Sequence, residues 1–168
     1  YIIGDESFDT AILEYYDLWK FKHPTPLDFK RVLERNSGIE LDWYFETWLG
    51  TTNQIDYAIT GVVPDGNKTL VKLEKLGEMS MPLEVLVETK SKKLLYYIPV
   101  ERMRGGLNAN NRTTETPWPW VYSNYNLKID FAIKDIIAIT IDPNLMMADI
   151  DRSQNVYPKV VDAIESED

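Results

Sequence analysis

The spacing of apolar residues changes just after position 50, and this change limits the folds open to the chain. Before it, Phe8, Ile12, Tyr15 and Trp19 recur every three or four residues, which is the period of an α-helix with one apolar face. After TTN at 51–53, apolar residues alternate with polar ones, which is the period of a β-strand with one buried side. The sequence therefore predicts an α+β protein, with helices first and strands after.

The first two helices are predicted to meet at FKHPTPLDF, residues 21–29. Pro24 ends the first helix, Thr25 suits the N-cap of the second with a proline after it, and Asp28 lies three residues beyond the cap. His23 is the only histidine in the chain, and it is expected to be extended because it precedes proline. We expect it to have a structural role, with its imidazole bonded to a backbone carbonyl or a carboxylate.

A third, short helix is predicted in ELDWYFETWLG, between Gly38 and Gly50, each of which suits a helix end. Its expected buried side consists of Leu41, Tyr44, Phe45, Trp48 and Leu49. Beyond it, PDGN at 64–67 and KSKK at 90–93 predict turns between strands. The residues that alternate in the predicted strands are Ile55, Tyr57, Ile59, Val71, Leu73, Leu83, Val85, Val87, Leu127, Ile129, Phe131, Ile133, Ile137, Ile139 and Ile141.

Six or seven short strands with no helix between them predict an antiparallel β-sandwich. The pattern divides the chain into a bundle of about three helices at 1–52, a β-sandwich at 53–158 and an acidic tail at 159–168. Because the chain opens at Tyr1 without methionine, we expect it to be a piece of a longer protein.

Composition excludes several kinds of chemistry. The chain has no cysteine, so disulfides, zinc–thiolate sites, iron–sulfur clusters and cysteine nucleophiles are excluded. Its formal net charge of -9 comes with scattered lysines and arginines, so no nucleic-acid partner is expected. No apolar run is long enough for a membrane-spanning segment. These properties do not favour one cellular compartment over another.

No pattern in the sequence predicts an active site. Zinc sites usually use more than one histidine, or histidine with cysteine, and although one histidine with two carboxylates is conceivable, the chain has no HExxH motif. Asp5, Glu6 and Asp9 could pair as acid and base, but they equally suit the start of a helix, which we favour. Ser/His/Asp catalysis with His23 as base lacks the sequence context of a nucleophile. We therefore assign no catalytic, cofactor-binding or metal-binding residue in this chain.

Two loops match ligand-binding motifs only in part. In DIDRSQN, Asp149, Asp151, Ser153 and Asn155 alternate as in a calcium loop. The glycine and glutamate that an EF-hand requires are missing, so we expect a turn rich in Asp and Asn. The RGGLNANN sequence at 104–111 lacks the lysine and the following helix of a phosphate loop.

The ETPWPWVY sequence at 115–122 places Trp118 and Trp120 beside prolines. These rings could form an exposed platform for a sugar or a peptide, or they could pack across the end of the sandwich, and we favour packing. Asn67 and Asn111 begin N-x-T sequons, which matter only in a host that glycosylates.

About the first fifty positions carry a set of residues at fixed spacing, several of which are rare aromatics. They are Gly4, Asp5, Glu6, Phe8, Trp19, Phe21, His23, Pro24, Thr25, Pro26, Asp28, Phe29, Ser37, Gly38, Leu41, Trp43, Phe45 and Trp48. This order resembles the end of the catalytic domain in aminopeptidase N-like zinc metallopeptidases, which are gluzincins. There an lGe..F segment leads to a helix ending in w.f.HP, then to a tp.dF helix and an sG.dL.WfF..W segment. The remainder is similar to the β-sandwich that follows this domain, and AITIDPNLMMADIDRSQN resembles its last strand and exit.

The resemblance implies that the chain is the non-catalytic C-terminal part of a zinc aminopeptidase. The family's zinc ligands lie in HExxH and a downstream glutamate, and its free-amine recognition lies in a GxMEN-type loop. Its transition-state tyrosine precedes this segment, so Tyr1 is not that tyrosine. The resemblance therefore implies zinc only in the missing catalytic core of the parent. It also implies the rest of that core as the partner, with peptide substrate reached only through the parent.

Helices that normally pack against a larger domain would expose an apolar face in this chain. The expected members of that face are Tyr15, Tyr16, Trp43, Tyr44 and Trp48. Burial of all five would instead indicate an autonomous domain. Two alternatives stay open, namely an independent β-sandwich that binds a glycan or a protein partner, and a purely structural domain with no ligand.

Overall fold

The computed structural model describes residues 1–106 and 111–158. The acidic tail predicted at 159–168 and residues 107–110 of the 104–111 loop lie outside the described residues. Three helices come first: α1 (Asp5–Trp19), α2 (Pro26–Ser37) and α3 (Asp42–Gly50). Two sheets of mainly antiparallel strands follow. The predicted α+β class, with N-terminal helices and an antiparallel sandwich, is confirmed.

The start of α2 forms as the sequence predicts, but α1 ends at Trp19 and not at Pro24. Thr25 is the N-cap of α2, and Asp28 Oδ2 accepts hydrogen bonds from the Thr25 hydroxyl at 2.7 Å and from its backbone N–H at 2.9 Å. These bonds hold the pKa of the Asp28 carboxyl below its usual range, because they favour the charged form. Gly38 follows α2 with a φ of 68°, a left-handed conformation that glycine adopts without strain.

The described residues contain eight strands in two sheets. The first sheet has the order β1-β2-β6, with β1 (Tyr57–Asp65), β2 (Lys68–Lys75) and β6 (Asn124–Ile129). The second has the order β5-β4-β3-β7-β8, with β3 (Leu83–Thr89), β4 (Lys93–Ile98), β5 (Thr113–Thr114), β7 (Ile136–Ile141) and β8 (Val156–Tyr157). Paired strands are antiparallel except β4 and β5, which are parallel.

The core lies between the sheets because alternate residues of their strands face it. In β3, Leu83, Val85 and Val87 are fully buried, and so are Leu127 and Ile129 of β6. Burying an apolar side chain of this size is worth about 1.5–3 kcal/mol relative to leaving it exposed. The period-two pattern read from the sequence therefore identifies the residues that hold the sandwich together.

The helices contribute to two clusters of buried residues. Trp43 of α3 is 5% exposed and belongs to the sandwich core, with Tyr1 and Tyr44 packed against the same cluster. The other cluster lies among the helices and consists of Ile3, Ala11, Val32, Leu33, Ile39 and Leu41. Helical and strand-rich parts are thus in direct contact through α3.

Three local predictions were wrong. Phe131 and Ile133 were placed in a strand, but β6 ends at Ile129 and residues 133–135 form a 3-10 helix before β7. The predicted apolar face of α1 is not buried, since Phe8 is 46% exposed and Ala11 is the buried residue. On α3, Trp48 and Leu49 are exposed, whereas Trp43 is buried. Phe8 of α1 and both Trp48 and Leu49 of α3 instead line a surface groove.

Candidate functional site

The three helices form an apolar groove, which we name the helical groove. It consists of two adjoining hollows of about 390 and 720 Å³ that share Phe29, Tyr44, Phe45 and Trp48. The smaller hollow reaches Tyr1 and the loop after β7 at Met146 and Met147, and the larger one reaches Pro24 at the corner between α1 and α2. Most of the exposed area in both hollows is apolar.

Aromatic contacts, two of them edge-to-face and one tilted, join the walls of the helical groove. The ring of Phe29 lies 4.9 Å from that of Tyr15 and 6.3 Å from that of Phe45, and the ring of Tyr44 lies 5.8 Å from that of Trp48. Such pairs are worth about 0.5–1.5 kcal/mol beyond the area they bury. The groove is therefore a preformed surface and not a set of independently moving side chains.

The predicted apolar face is present, with one error among its five members. Tyr16 is 63% exposed and Trp48 is 41% exposed, while Tyr15 and Tyr44 are half-buried in the helical groove. Trp43 is buried, so its prediction was wrong. Trp43 and Trp48 are five residues apart, which places them about 140° apart around a helix of 3.6 residues per turn. One of them therefore faces the sandwich and the other faces the groove.

His23 does not form the bond that was expected of it. It is exposed between α1 and α2, and its imidazole has no hydrogen bond or ion pair among residues 1–106 and 111–158. Asp5 and Glu6 occupy the first turn of α1, where the helix dipole favours carboxylates. Among the described residues, neither His23 nor the carboxylates of Asp5 and Glu6 have a partner that would activate them as an acid, a base or a metal ligand.

The DIDRSQN loop is the turn that the sequence predicts. Asp149 Oδ1 accepts the Asp151 backbone N–H at 3.0 Å, and its Oδ2 accepts the Asn155 side-chain amide at 3.0 Å. Asp151 Oδ1 accepts both the backbone N–H and the hydroxyl of Ser153. Burial, and then the charges of Asp149 and Asp151, raise the pKa of the nearby Asp56 carboxyl. Asp149 Oδ2 also accepts the Tyr57 backbone N–H at 3.2 Å, so these oxygens bond donors of the loop and of β1.

The two tryptophans of the ETPWPWVY sequence lie in opposite environments. Trp118 is 5% exposed, its ring lies 5.6 Å from that of Tyr57 and 5.2 Å from that of Tyr125, and its indole N–H donates to the Tyr122 carbonyl at 2.8 Å. Trp120, two residues later, is 54% exposed. Packing across the end of the sandwich is therefore correct for Trp118, and a platform of both rings does not form.

Tyr1 packs against the sandwich core, next to the segment that precedes β3. Its hydroxyl donates to the Pro82 carbonyl at 2.8 Å. Burial raises the pKa of the Tyr1 phenol, and the nearby Glu84 carboxylate raises it further. Glu84 in turn pairs with Arg112 at 2.9 Å, and the Arg112 guanidinium lies 3.6 Å from the centre of the Tyr97 ring. Because the Tyr1 hydroxyl donates to a backbone carbonyl, we assign Tyr1 a structural role.

Within the part of the chain that the structure describes, no three His, Cys, Asp or Glu side chains are placed to hold a metal ion. None of the described helices is long and apolar enough to span a bilayer. Comparison of the chain with protein-family models and with curated proteins gives no match.

Proposed function

We propose that this chain is the C-terminal part of a zinc aminopeptidase. In this proposal α1, α2 and α3 complete the helical lobe behind the zinc cleft, and the β-sandwich acts as a spacer that supports the lobe. The proposal is supported by the spacing of rare aromatics and their neighbours in about the first fifty positions and by the helical groove. The groove is the observation that carries it, because a contiguous apolar hollow on the surface marks a place where another part of a protein can pack.

The weak burial of α1 supports the same proposal. Only Ala11 of its 15 residues is buried, although Phe8, Leu13, Tyr16 and Leu18 are all large and apolar. Helices in proteins gain most of their stability from packing an apolar face against other elements. In the proposed parent, the catalytic core would cover these side chains and the helical groove.

The proposed parent hydrolyses the N-terminal peptide bond of its substrate. Zinc would polarise the scissile carbonyl and activate a bound water, with a glutamate as general base. The described residues offer no ligand set for zinc, so the proposal places metal and catalysis in the preceding core. We expect the isolated chain to bind no zinc tightly and to turn over no aminoacyl anilide. Stoichiometric zinc or measurable turnover on this chain alone would contradict the proposal.

A matched pair of exposed tryptophans tests the docking surface. Trp48 lines the helical groove, and Trp120 lies outside it. In a longer protein that includes the upstream core, Trp48→Ala should lower stability by about 1–2 kcal/mol, because a ring buried at the interface is lost. Trp120→Ala should leave stability unchanged, and in the isolated chain both substitutions should have small effects. Equal effects of the two substitutions in the longer protein would count against docking at the groove.

A further inference from the structure

A second hollow lies on a different part of the surface, where α3 and the loop after it approach the sandwich. We name it the Trp120 cleft. Its volume is about 320 Å³, within the range of about 300–1,000 Å³ that is usual for small-molecule sites. It shares no residue with the helical groove, and unlike that groove it is lined in part by charged side chains. A role for this cleft is therefore separate from docking at the groove.

The cleft presents one exposed aromatic ring on a fixed backbone. Trp120 is 54% exposed, and its carbonyl accepts a hydrogen bond from Lys75 Nζ at 3.2 Å. The buried Trp118 anchors the same loop two residues earlier. A tryptophan held in this way offers a flat apolar face to a ligand at little cost in conformational entropy.

The cleft also contains hydrogen-bond donors that the protein leaves partly unused. Lys75 Nζ donates to Ser80 Oγ at 3.0 Å and to the Trp120 carbonyl, and no carboxylate pairs with it among the described residues. An ammonium has three N–H groups, so one remains available. Trp43 also lines the cleft, and its buried indole N–H has no acceptor within the described ranges. Burial lowers the pKa of Lys75, which reflects its partial removal from water.

The charges that line the cleft balance one another. Glu46 pairs with Arg102 at 3.3 Å, and the remaining two charged side chains are Lys75 and Glu78. A site without net charge does not select an anion, but its carboxylates can accept hydrogen bonds and its cations can donate them. A sugar ring has C–H bonds on its faces and hydroxyls at its rim. Its C–H face can stack on an aromatic side chain while its hydroxyls bond to the donors and acceptors beside it.

We propose that the Trp120 cleft binds a neutral carbohydrate of one or two sugar units. One face of a pyranose ring stacks on Trp120, Lys75 donates to a ring substituent oxygen, and Glu78 accepts from a hydroxyl. The proposal does not depend on whether the chain belongs to a peptidase.

The test is a printed array of neutral hexose and N-acetylhexosamine oligosaccharides, with sialylated and uronic-acid oligosaccharides on the same array. The strongest binder is then titrated by calorimetry. We expect binding to neutral sugars, which Trp120→Ala should weaken about tenfold or more, or ~1.4 kcal/mol. Glu78→Gln should weaken it as well. Trp48→Ala is the matched control, because it removes an exposed tryptophan from the helical groove.

Three results would overturn the proposal. The first is no binding to any neutral sugar at millimolar concentration, and the second is binding restricted to acidic sugars. The third is binding that Trp120→Ala leaves intact or that Trp48→Ala removes equally. Thermal melting of each variant shows that it is folded, and because Trp120 is mostly exposed, its loss should not change the melting temperature.

Discussion

Replacing Trp118 by alanine should destabilise the sandwich strongly. The side chain is 5% exposed, contacts the rings of Tyr57 and Tyr125, and donates its indole N–H to the Tyr122 carbonyl. Loss of a buried tryptophan costs about 3–5 kcal/mol, because both apolar contacts and volume are lost. For a protein of this size each kcal/mol shifts the melting temperature by about 2–4 °C, so a fall of about 6–20 °C is expected.

Two further substitutions separate the contribution of the Trp118 hydrogen bond from that of its burial. Trp118→Phe keeps an aromatic ring but leaves the Tyr122 carbonyl without its donor, and it should cost about 1–2 kcal/mol. Trp120→Ala, two residues away in the same loop, should change stability by less than about 0.5 kcal/mol because its ring is mostly in solvent. The assay is urea denaturation followed by far-ultraviolet circular dichroism. Equal destabilisation by Trp118→Ala and Trp120→Ala would refute the assignment of one ring to the core and the other to the surface.

Other substitutions test the backbone, the helix cap and the groove. Gly77→Ala would place a Cβ 2.3 Å from the Gln54 carbonyl oxygen, so the backbone must shift, and a loss of about 1–3 kcal/mol is expected in urea denaturation. Gly50→Ala has no atom within 4 Å of the new Cβ and should change stability by less than about 0.5 kcal/mol. The lowered pKa of Asp28 contributes stability above the unfolded carboxyl pKa of about 3.9, and this contribution is lost as the pH falls through the folded pKa. Asp28→Asn should therefore lower the melting temperature at neutral pH, with a deficit that narrows in acid, and a deficit independent of pH would contradict this. An apolar fluorescent dye should bind the isolated chain at the helical groove, and the combined Trp48→Ser and Leu49→Ser substitutions should reduce its emission, whereas Trp120→Ser should not.

Local rules predict the helices and most strands well. The cap at Thr25, the turn at 64–67 and the alternation in β3 each depend on residues close together in sequence, and all three are found in the structure. Ile133 misled the strand prediction because the alternation of apolar residues continues into a segment that folds as a 3-10 helix. Apolar spacing indicates a buried side without distinguishing a strand from the turn that follows it.

The two tryptophan pairs show where sequence reasoning stops. Trp118 and Trp120 have similar neighbours in sequence, but the burial of Trp118 depends on Tyr57, which lies in a distant strand. Trp43 and Trp48 lie on one helix, and which of them faces the sandwich depends on how α3 is placed against both sheets. The Trp120 cleft has the same origin, since Lys75 and Glu78 meet the tryptophan only after the chain has folded. The ETPWPWVY pattern points to Trp120 as a possible platform, but no local pattern could have placed Lys75 and Glu78 beside it.

The coding sequence upstream of Tyr1 tests the central claim most directly. If the chain is the C-terminal part of a zinc aminopeptidase, the same reading frame should encode an HExxH motif with a further glutamate downstream, followed by the tyrosine that such enzymes use. Those residues would hold the zinc ion and supply the general base, whereas the described residues of this chain contain no ligand set for a metal. An upstream reading frame with neither HExxH nor any alternative set of zinc ligands would contradict the account.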